Sequence, residues 1–266
     1  MGKVTLKDIA KEVGVSPATV SYVLNNNQSQ KISEDVRKKI VQVSHLLGYT
    51  KNVHANALVT GRSNHIGIYI RQTNFALMGM DLFNYLFALV EALKDQGYDT
   101  IVLPQEYSKT VDYVDAILCI GLSNDDFKTI CSNNYIPTIA IDTHAKDPWN
   151  FEVSTLFSEV KNNVSIDDYY FVCYEPASLE IKEAIKKGNE NTIFISNFDD
   201  LKQIETLPQE TTFVTPSNEI FKWIKLSFKN LIKYRIDATK KFNQIIKCLE
   251  LAITHQEVKE HVFFVE

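Results

Sequence analysis

The chain has 266 residues, 45% of them hydrophobic and 23% charged, with a formal net charge of −5. That apolar content builds cores and excludes a disordered chain, and the length suits a small module followed by a larger body. Charge is unevenly spread: residues 1–62 carry nine Lys and Arg against four Asp and Glu, and the remainder nineteen against twenty-nine. A basic module therefore precedes an acidic body, and attraction for a polyanion is concentrated at one end.

In chain order, Leu6, Ile9, Ala10 and Val13 fall at helical spacing behind Thr5, with Asp8 three residues on as a variant of the capping box. Gly14 stops this helix. Ser16-Pro17 then reads as an N-cap followed by Pro at the first helical position, where its missing N–H costs nothing. The second helix turns Val20, Val23 and Leu24 inward and leaves Pro17, Ala18, Thr19, Ser21 and Tyr22 outward. A third helix follows Ser33, carries Glu34 and Asp35 in its first turn, buries Val36, Ile40, Val43 and Leu47, and ends at Gly48. Two helices joined by a tight turn, with small polar residues on the exposed face of the second, make a helix-turn-helix. The stretch Asn52 to Val59 has no Gly or Pro and is too short to be stable as a lone helix, so it folds only when docked.

From His65 onward, apolar runs (HIGIYI, TIVLP, AILCIG, TIAID) alternate with helical patterns (DLFNYLFALVEALKDQGY, SNDDFKTICSNN), the signature of βαβ units and a parallel sheet. The second half repeats the style with YYFVCYE, SLEIKEAIKK, TIFIS, TTFVTP, EIFKWIKLSFKNLI, TKKFNQIIKCLELAI and HVFFVE. Only about a dozen residues separate TIVLP from AILCIG, the bare minimum for a parallel crossover, so its helix is expected to shrink to a turn or two.

No apolar run approaches the roughly 18–20 residues a membrane span needs, and the N-terminus lacks a signal-peptide apolar region. The expectation is a cytoplasmic, nucleoid-associated protein with no membrane partner. Cys119, Cys131, Cys173 and Cys248 are far apart, with no CxxC and no zinc spacing, and read as reduced thiols without a metal. No P-loop, GxSxG or HExxH is present and the six His are scattered, so an enzyme has no residues to rest on and no cofactor is expected. A solute-binding protein for transport fits neither the N-terminus nor the basic module.

The segments VTLKDIAKEVGVSPATVSYVLNN and KISEDVRKKIVQVSHLLGY resemble the headpiece of the LacI/GalR repressor family, almost unbroken over residues 3–61. The resemblance implies a fold of class α plus α/β. Residues 1–61 would form a helix-turn-helix DNA-binding headpiece with a hinge helix, and residues 62–266 an abridged periplasmic-binding-protein-like core of two subdomains for effector binding and dimerisation. It implies a homodimeric, sequence-specific transcriptional regulator, most simply a repressor, whose partner is a pseudo-palindromic double-stranded DNA operator. The alternative is a regulator of the same type controlled by a protein partner, or without a small-molecule effector.

The DNA-binding set it implies is Thr5, Leu6, Ser16, Pro17, Ala18, Thr19, Ser21, Tyr22, Asn25, Asn52, Ala55 and Leu58. Ser16 and Thr19 suit phosphate or base edges, Pro17 and Ala18 suit thymine methyls, and Ser21 and Asn25 suit phosphates. Leu58, with Ala55 one turn before it, matches the family's minor-groove wedge. At Tyr22 the chain departs from the family, where Arg or another long polar residue is common; Tyr makes one hydrogen bond but no bidentate contact to guanine. For an effector, the resemblance points to Asp81 at the start of the first core helix, Asp142 after TIAI, and Asn218 and Glu219. Each also reads as a helix-cap or strand-end residue. No Arg in PASLEIKEAI grips a sugar hydroxyl, and no Gly-Phe-Asp-Asp-like strand end lies between Lys225 and Asp237.

Overall fold

The computed structural model describes residues 4–24, 30–49, 62–145, 147–157, 160, 164, 166, 168–256 and 258–265. The chain divides into two compact units, Met1–Ser63 and Asn64–Glu266.

The first unit is built on α1 (Leu6–Val13), α2 (Pro17–Leu24) and α3 (Glu34–Leu46). Asp8 accepts hydrogen bonds from Thr5 N at 2.8 Å and Thr5 Oγ1 at 2.7 Å, which fixes the first turn of α1 and lowers the Asp8 pKa. Gly14 sits at φ 82°, a left-handed conformation that stops α1 at little steric cost and frees the chain to turn within three residues. Lys39 Nζ donates to Val13 O at 3.4 Å and adds a cation to the C-terminal end of α1. Ile9, Ala10, Val13, Val20, Val23 and Ile40 form the core. Leu47 departs from expectation: it lies just past α3 and is 38% exposed, while Ser44 is buried and donates to Val41 O at 2.7 Å. Val36 and Val43 pack against the core as expected.

The second unit contains two parallel sheets. The larger joins β1 (His65–Ile70), β2 (Asp99–Val102), β3 (Ala116–Ile120), β4 (Thr138–Ile141), β5 (Phe151–Thr155) and β10 (Val262–Val265) in the order β10-β5-β4-β3-β1-β2. The smaller joins β6 (Tyr170–Tyr174), β7 (Thr192–Ile195), β8 (Phe213–Thr215) and β9 (Leu231–Lys233) in the order β7-β6-β8-β9. Helices α4 (Ala76–Asp95) and α9 (Ala238–Ile253) cover one face of the large sheet, and α5 (Asn124–Asn133) lies on the other. The small sheet is flanked by α6 (Leu179–Gly188) on one face and by α7 (Phe198–Ile204) and α8 (Asn218–Ile224) on the other.

Among the described residues no α-helix connects β2 to β3, a stronger abridgement than a shortened helix. Leu103, Val111 and Val114 close that face directly, and a Cβ on Gly67 would lie 2.8 Å from Leu103 Cδ1, so glycine is what admits the loop. The run EIFKWIKLSFKNLI splits into α8 and the short strand β9, and β5 and α7 are additional to the elements expected from sequence. Helix α4 is long and apolar enough by composition to cross a membrane, contrary to the reading of its sequence. Here its Leu89 and Leu93 are fully buried in the core of the large sheet, and Phe75 and Met78 at its start enter the core of the small one.

Candidate nucleic-acid interface

Local chemistry presents the start of α2. Ser16 Oγ accepts from Thr19 N at 3.0 Å, and the Ser16 and Thr19 hydroxyl oxygens lie 2.8 Å apart. Two hydroxyl protons share one mutual bond, so the other remains available to a phosphate oxygen while the cap stays intact. Pro17 brings no N–H to the helix end, and Ser16, Pro17 and Ala18 are exposed. Tyr22 is 36% exposed on the same helix; Thr19 and Ser21 are half-buried. Thr5 is exposed and Leu6 half-buried at the start of α1, where Leu6 packs on the headpiece core and offers little surface to a partner. Asn25, Asn52, Ala55, Leu58 and the expected hinge helix lie outside the described residues.

The proposed effector residues are drawn into contacts within the protein. Asp142, at φ 49° after β4, is ion-paired with Lys241 of α9, and its Oδ1 accepts from Thr155 N at 2.8 Å. The Lys241 side chain is only 4% exposed; it also donates to Thr155 Oγ1 at 2.7 Å and lies 5.4 Å from the centre of the Tyr85 ring. Asp81 lies in the second turn of α4 rather than at its start, because the helix begins at Ala76. Its Oδ2 accepts from Tyr174 Oη at 2.9 Å, from Ser217 Oγ, and from Glu219 N at 3.3 Å. Burial drives the Tyr174 pKa well above its ordinary value, opposed by the Ser217 hydrogen bond. Glu219 pairs with Lys222 at 2.6 Å, and Asn218 is exposed at the first position of α8, whose N-cap is Ser217.

Sequence reasoning missed Tyr174, Ser217 and Lys241, together with two further groups. Arg71, just past β1, donates to Glu175 O past β6 at 2.5 Å, and Glu175 is held by Lys182 and by Ser196 Oγ at 2.6 Å, which lowers its carboxyl pKa. Lys233 at the end of β9 donates to Pro216 O; burial pushes its pKa down to about 8, with Asp81 opposing the shift. The one available signal was position: strand ends at the switch points of parallel sheets are where polar groups gather.

A cavity of about 120 Å³ lies among His144, Thr155, Phe157, Ile181, Ile185 and Phe264, and a groove of about 640 Å³ lies at the opposite ends of β4 and β5 beside Tyr135, Trp149 and His255. Neither is lined by Asp81, Asp142, Asn218 or Glu219.

Residues 5–52 match the family described as bacterial regulatory proteins, lacI family. The HTH-type transcriptional regulator GalS of Salmonella typhimurium is 43% identical over 76 residues, which cover 29% of this chain and 22% of GalS. Catabolite control protein A of Staphylococcus xylosus is 27% identical over 202 residues, 72% of this chain and 55% of that protein. The chain thus matches about half or less of the length of these curated relatives. The lac repressor bound to ONPG in its repressed state superimposes with a TM-score of 0.63 at 14% identity, covering 99% of this chain and 97% of that one. The lac repressor dimer bound to operator and an anti-inducer gives 0.62 at 14%, covering 99% and 96%. Residues 5–52 therefore match a lacI-family helix-turn-helix domain, and the chain shares the fold of the lac repressor, an N-terminal helix-turn-helix unit followed by a periplasmic-binding-protein-like α/β core.

Proposed function

We propose that this protein is a sequence-specific DNA-binding transcriptional regulator, acting in the cytoplasm on the nucleoid as a homodimer that recognises a pseudo-palindromic operator, with repression as its simplest mode. The observation that carries this is the lacI-family domain at residues 5–52, with the N-terminal end of α2 presenting Ser16, Pro17 and Ala18 to solvent. A helix end of this kind suits the major groove, where hydroxyls and small apolar groups meet base edges and phosphates. One such helix reads only a few base pairs, so two copies on a two-fold site are needed for useful specificity.

A second copy has a surface to meet. Met80, Phe83 and Phe87 form an exposed apolar stripe on α4 at helical spacing, with the two Phe rings stacked at 6.3 Å between centroids. The lac repressor, whose fold this chain shares, binds its operator as a dimer, which supports the same arrangement.

The experiment is selection of bound sequences from a random DNA pool by the full chain, with mapping of the sites it occupies in a genome. Enrichment of a two-fold symmetric sequence supports the proposal; enrichment of no sequence, or of a site without symmetry, refutes it. Affinity for the selected site is expected to fall steeply with salt, each neutralised phosphate adding about −0.9 to the log–log slope.

A further inference from the structure

We propose that the two α/β lobes of Asn64–Glu266 are latched together by the protein's own side chains at Asp81, so that their closed arrangement needs no bound ligand. This rests on the regulator reading only for its consequence, the control of operator binding; the latch itself is a property of the core.

Asp81 belongs to α4, whose later turns, with Leu89 and Leu93, pack on the large sheet while its first turns, with Met78 and Leu82, pack in the small-sheet core; Tyr174, Ser217 and Glu219 belong to the small-sheet lobe. Three donors from that lobe converge on one carboxylate oxygen of α4, the helix shared by both lobes, and the Tyr174 and Ser217 oxygens are 3.0 Å apart, so the donors reinforce one geometry. The hydroxyl of Ser217 is itself held, because its oxygen caps α8 by accepting from Ile220 N at 2.9 Å. Lys233, on the same lobe as Ser217, supplies a nearby cation that offsets the Asp81 charge. A second crossing lies at the switch-point ends of β1 and β6, where Arg71 reaches Glu175 O. Phe75 completes the contact, packing edge-on against Tyr174 at 6.1 Å and Phe198 at 5.0 Å between ring centroids.

A ligand closes two lobes by supplying polar groups that bridge them. Here the bridging positions at Asp81 and Arg71 are filled from within the chain, while Asn124 Oδ1 at the start of α5 and His144 Nδ1 past β4 are buried without a hydrogen-bond partner among the described residues. Charge-assisted hydrogen bonds are the strong ones, and a displaced ligand group would have to match three of them at once. The consequence is a regulator whose core is set in one state as synthesised.

The test is small-angle scattering of the full chain, with circular dichroism to confirm that each variant is folded. Wild type is expected to scatter as the closed form, with no change on adding glucose, galactose, glucose 6-phosphate or guanine at millimolar concentration. Ser217→Ala combined with Tyr174→Phe removes two of the three donors and is expected to lower the closed-to-open ratio by about a hundredfold, read as a larger radius of gyration. Asp81→Leu behaves likewise, while Asp81→Asn, whose amide oxygen still accepts, stays closer to wild type. A radius unchanged in both the double variant and Asp81→Leu would overturn the latch, as would an open wild type that closes with one of the added compounds. If the variants open and selected DNA is bound equally well by open and closed forms, the latch stands and its link to operator control fails.

Discussion

Replacing Asp142 by Ala separates a ligand-binding carboxylate from a structural one. In the structure its removal leaves the Lys241 ammonium, whose side chain is 4% exposed, with only Thr155 Oγ1 and the face of Tyr85 as partners. The Asp142 side chain is 32% exposed, so water screens the pair, and breaking it from one side costs about 2 kcal/mol, less than for a fully buried pair. For a unit of about 200 residues that lowers the melting temperature by roughly 5 °C. Asp142→Asn costs less, since its side-chain oxygen still accepts from Thr155 N and Asn tolerates the left-handed backbone at this position. Adding Lys241→Met to Asp142→Ala removes the stranded charge and recovers part of the loss, so a thermal-melting double-mutant cycle shows a large coupling term. A carboxylate kept for a ligand predicts the opposite: a polar replacement within about 0.5 kcal/mol of wild type. A melting temperature for Asp142→Ala within about 2 °C of wild type would refute the structural assignment.

Other positions give sharper separations of role. Ser16→Asp retains the cap of α2 but sets a negative charge beside phosphate, so headpiece stability is kept while operator affinity drops; Ser16→Ala loses both, at about 1 kcal/mol of stability. Tyr22→Ala is expected to alter base preference within each half-site at about 1–3 kcal/mol, leaving the salt slope unchanged, and an identical selection profile would show that the ring meets no base. Each Phe of the α4 stripe buried between two copies contributes roughly 1.5–3 kcal/mol, so Phe83→Asp with Phe87→Asp raises the dimer dissociation constant at least about a hundredfold by sedimentation. Lys233 binds its proton less tightly folded, at about 8, than unfolded, so stability rises with pH from about 8 toward the ordinary lysine range; in Lys233→Met that rise disappears from melts taken at pH 7.5 and pH 10.

The headpiece was legible because its rules are local. Thr5 with Asp8, Gly14, and Ser16 with Pro17 each act within one turn, and the expected helix starts and the stop at Gly14 are where the structure has them. Leu47 was misread for a related reason: it continues the apolar spacing of α3, but the helix ends before it, and Ser44 takes the inward place by bonding back to its own helix. Strand β5 escaped notice because Glu152 and Ser154 interrupt its apolar character. Both are buried, and Ser154 Oγ donates to Glu152 at 2.7 Å, a pairing that removes the usual objection to a carboxylate inside a sheet. Lys241 is one of two adjacent lysines near a helix start, with nothing local to mark it out. Its burial depends on Asp142, 99 positions earlier, and no periodicity reports such a partner.

The same distance in sequence hides the partners of the core's acidic residues. Asp81 and Asp142 stand where strand ends and helix starts converge, the places at which an α/β protein collects polar groups, and sequence alone reports the carboxylate without its partner. A half-buried carboxylate left open to a ligand would pay part of its desolvation cost whenever the site was empty, whereas one met by Lys241, or by Tyr174 and Ser217, has that cost offset in every molecule. The crossover without a helix acts in the same direction. With Leu103 pressed against Gly67 and Val111 and Val114 closing the face, the large sheet is sealed by apolar contact. A core trimmed in this way keeps two parallel sheets, and at their strand ends Asp81, Asp142 and Glu175 are engaged by groups of the same chain.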